Sequence, residues 1–134
     1  MDPLANNPKL TDIILCEGMK KILLVDDDLL SVEFMRMYVE SKGYASFTAN
    51  SVDAARKVVE EHQPDVVVTD LQLSDGTGIE VADHARLTCS AIVIGVTGYD
   101  RHSLESKGFS LDALSTILLK PLDLKLLDQA LARI

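Results

Sequence analysis

The chain has 134 residues, 47% of them hydrophobic, which fits one ordinary domain with a single packed core. Thirteen basic against twenty-one acidic side chains give a net charge of −8 at pH 7, so neither a nucleic acid nor an anionic membrane surface is an expected partner. Cys16 and Cys89 stand far apart with no metal-type grouping, no apolar run reaches the roughly 18 to 20 residues of a membrane helix, and no secretory signal opens the chain, so a cytoplasmic protein with reduced thiols is expected.

Residues 1–18, "MDPLANNPKLTDIILCEG", precede "MKKILLVDD", in which Met19 would itself be a natural start for a domain opening on its first strand. The leading segment is read as a disordered extension rather than an added helix or strand, although Ile13, Ile14 and Leu15 could dock somewhere. Residues 19–134 are then the domain.

Short apolar blocks recur along that domain at 22–25, 66–68, 92–96 and 117–119. They are aliphatic throughout and do not alternate, as expected of strands buried on both faces of a parallel sheet. The run "YASFT" at 44–48 mixes polar and apolar residues in the manner of an edge strand.

Helical patterns fill the intervals. Leu30, Phe34, Met37 and Tyr38 form an apolar stripe that Gly43 ends, and Val52, Ala55 and Val59 form a second after a Ser51 cap. Ile79, Ala82 and Ala85 predict a third helix, and Leu124, Leu127, Leu131 and Ile134 the last. A fourth is expected within 101–114, where the pattern is weakest. Strands alternating with helices imply a parallel α/β sheet with helices on both faces.

In such a sheet, ligands bind beyond the carboxyl ends of the strands. Asp26, Asp27 and Asp28 follow the first strand, Thr69 and Asp70 the third, Thr97 the fourth and Lys120 the fifth. Each alone is equally explained as a helix cap or turn residue. Carboxylates gathered on one rim repel one another unless a cation sits among them, which points to a metal. Oxygen-only ligands suit Mg2+, whereas calcium would call for an Asp-x-Asp-x-Asp-Gly loop and zinc for His or Cys.

Taken together, "ILLVDDD", "VVVTDLQLSDGTG", "VTGY" and "LLKP", in this order over residues 20–134, resemble the CheY-like receiver domain of two-component response regulators. The resemblance implies a flavodoxin-like, doubly wound, five-stranded parallel sheet in the order 2-1-3-4-5 with five surrounding helices. It assigns the phosphoacceptor to Asp70. It also implies Mg2+ held by Asp26, Asp27, Asp70 and the backbone carbonyl of Gln72, with Asp27 touching the ion and Asp26 acting partly through water. Asp28 then belongs to the start of the first helix. Thr97 matches the switch hydroxyl and Lys120, before a cis Pro121, the family's lysine.

The same resemblance implies a histidine kinase or histidine phosphotransfer protein as phosphoryl donor and a downstream protein as target. The fourth helix, fifth strand and fifth helix are the implied readout face and the candidate surface for a homodimer. The chemistry is confined to phosphoryl transfer onto the protein's own aspartate and its later hydrolysis, so the chain is not expected to be an enzyme in the ordinary sense. Gln72 and Tyr99 match positions that influence attack by water on the phosphoryl group; a loop aromatic packed on the domain explains Tyr99 equally well.

The sequence departs from the family pattern in places. Ile117 stands where an aromatic residue often partners the switch threonine, Ser74 replaces a proline, and Gly78 keeps the family's small residue. "TGYD", "GF" and "LLKPLD" are closest to receivers of hybrid histidine kinases. Gly108-Phe109 lies further from Lys120 than in that group, so a rearranged fourth helix and following loop are expected. His62, His84 and His102 read as solvated side chains rather than phosphodonors.

Three other readings stand beside this one. A flavin-binding domain would need a Ser/Thr/Gly-rich phosphate loop where three aspartates stand. A haloacid-dehalogenase-like phosphatase would use Asp-x-Asp, which Asp26 and Asp28 supply, but needs a cap and a larger chain. A receiver-like scaffold that is not phosphorylated would account for Ile117, yet not for the complete set of Asp26, Asp27, Asp70, Thr97 and Lys120.

Overall fold

The first strand, β1 (Lys21–Val25), is apolar from Ile22 onward because both of its faces are covered there. Leu23 and Val25 enter one core, Ile22 and Leu24 the other, and all four are fully buried. The computed structural model describes residues 19–134; the expected extension at 1–18 lies outside them.

The remaining strands of the main sheet are β2 (Ala45–Ala49), β3 (Val66–Asp70), β4 (Ile92–Thr97) and β5 (Thr116–Leu119). They form a five-stranded sheet in the order β2-β1-β3-β4-β5, with every pair parallel. The mixed run expected at an edge is indeed the edge strand β2. Among the described residues the helices are α1 (Leu29–Ser41), α2 (Val52–His62), α3 (Gly78–Cys89), α4 (Arg101–Ser106) and α5 (Leu124–Ala132). Residues of α1 and α5 pack on one face of the sheet; those of α2, α3 and α4 pack on the other.

The predicted buried stripe of α1 is corrected. Val32, Met35 and Val39 face the sheet, while Leu30, Phe34 and Met37 are 81%, 61% and 62% exposed. Both sets have helical spacing on opposite sides of the same helix, so periodicity could not choose between them. The helix starts where Asp28 caps the Leu30 N–H and Ser31 donates to the same carboxylate.

Elsewhere the expected faces hold. Val52, Ala55 and Val59 of α2 are buried behind a Ser51 cap, Ala82 and Ala85 of α3 are buried with Val81, and Leu127 and Leu131 anchor α5. Helix α4 has only six residues and ends at Lys107, after which Gly108 takes φ +90°, a conformation that favours glycine. The chain then reaches β5 through a turn in which Leu111 and Leu114 are buried. This short helix is why the apolar pattern over 101–114 was weak.

The histidines are not uniformly solvated as expected. His84 on α3 is half-buried, with its Nε2 out of solvent and 3.2 Å from Glu60 Oε1 on α2 but without a hydrogen bond. His62 stacks on Phe47 with ring centroids 4.2 Å apart, and His102 is exposed.

Candidate functional site

Parallel pairing aligns the carboxyl ends of the strands, and the polar residues emerge there. Val25 lies level with Thr69, Asp70 with Val96, and Thr97 with Leu119. The residues just beyond, Asp26 and Lys120, therefore arrive beside Asp70. Of these, Asp26, Asp70 and Thr97 are buried, whereas Asp27 and Lys120 are exposed.

Asp26 is fixed by its neighbours. Its backbone N–H donates to Ala49 O at 3.2 Å, and its Oδ1 accepts the Asp28 N–H at 2.9 Å. Burial pushes its carboxyl above the usual range; the Asp28 N–H and the Lys120 charge oppose this, while Asp70 and Asp27 add to it.

Asp70 is held on both oxygens. Oδ1 accepts the Gln72 N–H at 3.0 Å, and Oδ2 accepts Lys120 Nζ at 2.8 Å. The same ammonium lies 3.6 Å from Asp26 Oδ2. Partial burial disfavours the Lys120 charge, but the hydrogen bond to Asp70 and the fields of Asp70 and Asp26 outweigh it and raise its pKa. Gly78 lets α3 begin against the acceptor strand, since a Cβ there would lie 2.2 Å from Asp70 O.

Thr97 and Tyr99 are linked at the end of β4. The Tyr99 N–H donates to Thr97 Oγ1 at 3.1 Å, and the Lys107 ammonium sits 4.6 Å from the Tyr99 ring centroid. Lys120 is tied to the same turn by its N–H, which donates to Thr97 O at 2.7 Å. The Lys120-Pro121 peptide is cis, as expected. Ile117 is half-buried and packs against the core on the α2, α3 and α4 side.

One carboxylate oxygen from each of Asp26, Asp27 and Asp70 can be chosen so that all three lie within 4.8 Å of one another. This donor set is all oxygen and carries more negative charge than Lys120 balances, so the residues fit a hard divalent cation with retained waters. Asp28, as expected, belongs to α1 and not to this set. Sequence reasoning missed Asp75: its carboxylate reaches α2, with Oδ1 accepting the Val52 N–H at 2.8 Å and Oδ2 the Asp53 N–H at 3.2 Å. An acidic residue before Gly76 was the only local sign.

An acidic pair with one buried member, an aspartate at the end of the central strand, and a lysine reaching it from the edge strand define a receiver-type site on a doubly wound sheet. The response regulator receiver domain profile matches residues 22–132, and the chain belongs to that family. It is thus a receiver module of two-component phosphorelay signalling, a family distinct from classical enzymes, and the flavin-binding, phosphatase and unphosphorylated-scaffold readings are not favoured.

Among its relatives, the sensory transduction protein LytT of Bacillus anthracis is 31% identical over 118 residues, covering 86% of this chain and 47% of LytT. The chain thus spans about half the length of that relative. A CheY-like receiver domain protein from Methanospirillum hungatei JF-1 superposes with a TM-score of 0.78 at 29% identity, over 87% of this chain and 93% of that one. Vibrio cholerae chemotaxis protein CheY4 does so with a TM-score of 0.78 at 22% identity, over 87% and 99%, a likeness of fold. No helix of the described residues is long and apolar enough to cross a membrane.

Proposed function

We propose that Asp70 accepts a phosphoryl group from the phosphohistidine of a histidine kinase or phosphotransfer protein. The observation that carries this reading is the placement of Asp70 between Lys120, at 2.8 Å, and the acidic pair Asp26 and Asp27. A carboxylate oxygen of Asp70 forms the new bond to phosphorus as the P–N bond to the donor imidazole breaks. The imidazole nitrogen keeps the electron pair and takes up a proton, and Asp70 becomes an acyl phosphate.

Such transfers have loose transition states, so positioning and neutralisation of charge dominate. Asp26, Asp27, Asp70 and the Gln72 carbonyl are the groups that would hold Mg2+, which when bound supplies positive charge beside the phosphoryl oxygens. Lys120 exchanges its carboxylate partner for a phosphoryl oxygen, and the Thr97 hydroxyl donates to another. Because the Tyr99 N–H is bonded to that hydroxyl, recruitment of Thr97 draws the turn at the end of β4 with it. Signalling to a downstream protein is then a population shift of this turn and α4. Ile117 offers no hydroxyl to the surface, so readout does not pass through an aromatic at that position.

Several finer assignments belong to the same reading. Residues 19–134 form the receiver, the α4, β5 and α5 face is the readout and candidate dimer surface, the protein works in the cytoplasm, and Tyr99 and Gln72 tune hydrolysis of the acyl phosphate.

Incubation with acetyl phosphate and Mg2+, followed by intact mass measurement, tests the central claim. Wild type is expected to gain one phosphoryl group and Asp70→Asn none; equal gain by both proteins would sink the assignment.

A further inference from the structure

The loop between β3 and α3 begins at the acceptor strand and carries the Gln72 carbonyl assigned above to the metal. It is folded back on itself by antiparallel pairing of Gln72 with Thr77 and Leu73 with Gly76. Its tip is fastened to a different part of the molecule. The Asp75 carboxylate takes the Val52 and Asp53 N–H groups of α2, donors that a helix cannot satisfy internally. Ser51 Oγ takes a third, the Ala54 N–H, at 3.0 Å.

Two further observations show how closely the loop is held. At Gly76, with φ +159°, a Cβ would meet Glu80 Oε2 at 2.4 Å and Val52 Cγ2 at 3.1 Å, so the loop backbone lies directly against the start of α2. The Val52 N–H, and to a lesser extent that of Asp53, holds the Asp75 carboxyl below its usual range despite some desolvation. The bond is therefore charge-assisted and sits on the positive end of a helix.

The hydrogen bonds run in a chain from Asp26 to Asp70. Asp26 N–H is bonded to Ala49 O at the end of β2, three residues before α2 begins. From there Val52 holds Asp75, the Gln72–Thr77 ladder leads back along the loop, and the Gln72 N–H is bonded to Asp70. Asp26, Gln72 and Asp70 are thus spaced by one continuous frame in which Asp75 is the link that crosses between elements.

We propose that Asp75 is a positioning residue of the metal site: by tying the loop tip to α2 it fixes the Gln72 carbonyl relative to Asp26 and Asp70. The inference rests on the reading of that site as a magnesium-dependent phosphoacceptor. A loop already ordered loses little conformational freedom when the cation binds, and groups that orient metal ligands typically change affinity about 10-fold or more. Asp75 is not one of the clustered carboxylates that would hold the ion.

Calorimetric titration of the full chain with Mg2+ tests this, with urea midpoints measured in parallel. Asp75→Ala is expected to weaken magnesium binding about tenfold. Asp75→Asn, whose amide oxygen still accepts the Val52 N–H, should recover part of the loss. Ser51→Ala removes the other cap of the same helix, and should lower the urea midpoint while leaving magnesium affinity at the wild-type value. Unchanged affinity in Asp75→Ala, or an equal loss in Ser51→Ala, would overturn the inference while leaving the metal site standing. Should Asp75→Ala fail to fold, Asp75→Asn decides, with wild-type affinity as the adverse result. Absence of magnesium binding by the wild type would overturn both the inference and the reading beneath it.

Discussion

Lys120 Nζ donates to Asp70 Oδ2 at 2.8 Å across fifty residues of chain, and so the end of the last strand reaches the end of the central one. The contact is a resting-state pairing with two sides. It gives the Asp70 carboxylate a hydrogen-bonded cationic partner, but it also brings a positive charge to the place where a divalent cation would bind.

Replacement of that charge should therefore separate binding from transfer. In Lys120→Met, magnesium is expected to bind severalfold more tightly, because a cation competing for Asp70 and Asp26 is removed. Labelling by acetyl phosphate should nevertheless slow strongly, since a phosphoryl oxygen loses its ammonium partner. Calorimetry and intact mass measure the two effects; weaker magnesium binding in the variant would contradict the argument.

The two faces of α1 predict unequal tolerance. Met35→Ala deletes a buried side chain and should cost about 2–5 kcal/mol, whereas Leu30→Gln, on the exposed face, should stay within about 0.5 kcal/mol of wild type. Urea unfolding monitored by circular dichroism gives both values. Equal costs at the two positions would mean that the helix is rotated.

Gly78→Ala should act on the acceptor without touching its side chain. Its Cβ would press on Asp70 O, and relief requires the start of α3 to move away from β3. A loss of about 1–3 kcal/mol is expected, as for an overpacked interior, together with slower labelling of Asp70. Wild-type unfolding and labelling in this variant would show that α3 has more room than the geometry allows.

The cap of α4 predicts a pH dependence. Asp100 Oδ1 accepts the Ser103 N–H at 2.8 Å, and that bond holds the carboxyl below its usual range. The unfolded chain binds this proton more readily than the folded one. The contribution is thus complete above the unfolded carboxyl range, near about pH 4, and is lost as pH falls through the lower folded value. The gap in urea midpoint between wild type and Asp100→Asn should be larger at about pH 6 than at about pH 3. A gap independent of pH would rule out the titration of Asp100 as its source.

The parts of this molecule that were legible from sequence share a physical reason. Strands covered on both faces must be apolar throughout, and the polar residues that follow them fall at one rim, so β1, β3, β4 and Asp26, Asp70, Thr97 and Lys120 could be placed together. Asp28 was legible as a cap because its partners, Leu30 and Ser31, are local. The buried face of α1 was not, since the helix is apolar on both sides. Helix α4 is too short for a period to register. The bond from Asp75 to α2 spans more than twenty residues, and the burial of His84 depends on how α3 meets α2; neither leaves a local trace.

The sheet order has a consequence for the growing chain. Strand β5 is both an edge strand and the last strand in chain order, so the three aspartates leave the ribosome well before the lysine that partly offsets their charge. At about 5–20 residues per second, the fifty residues between Asp70 and Lys120 correspond to a delay of roughly 3–10 s. During that interval a nascent sheet would hold its acidic rim together against repulsion with help only from protons or metal ions in the medium. Translation thus delivers the site's cation after all of its carboxylates.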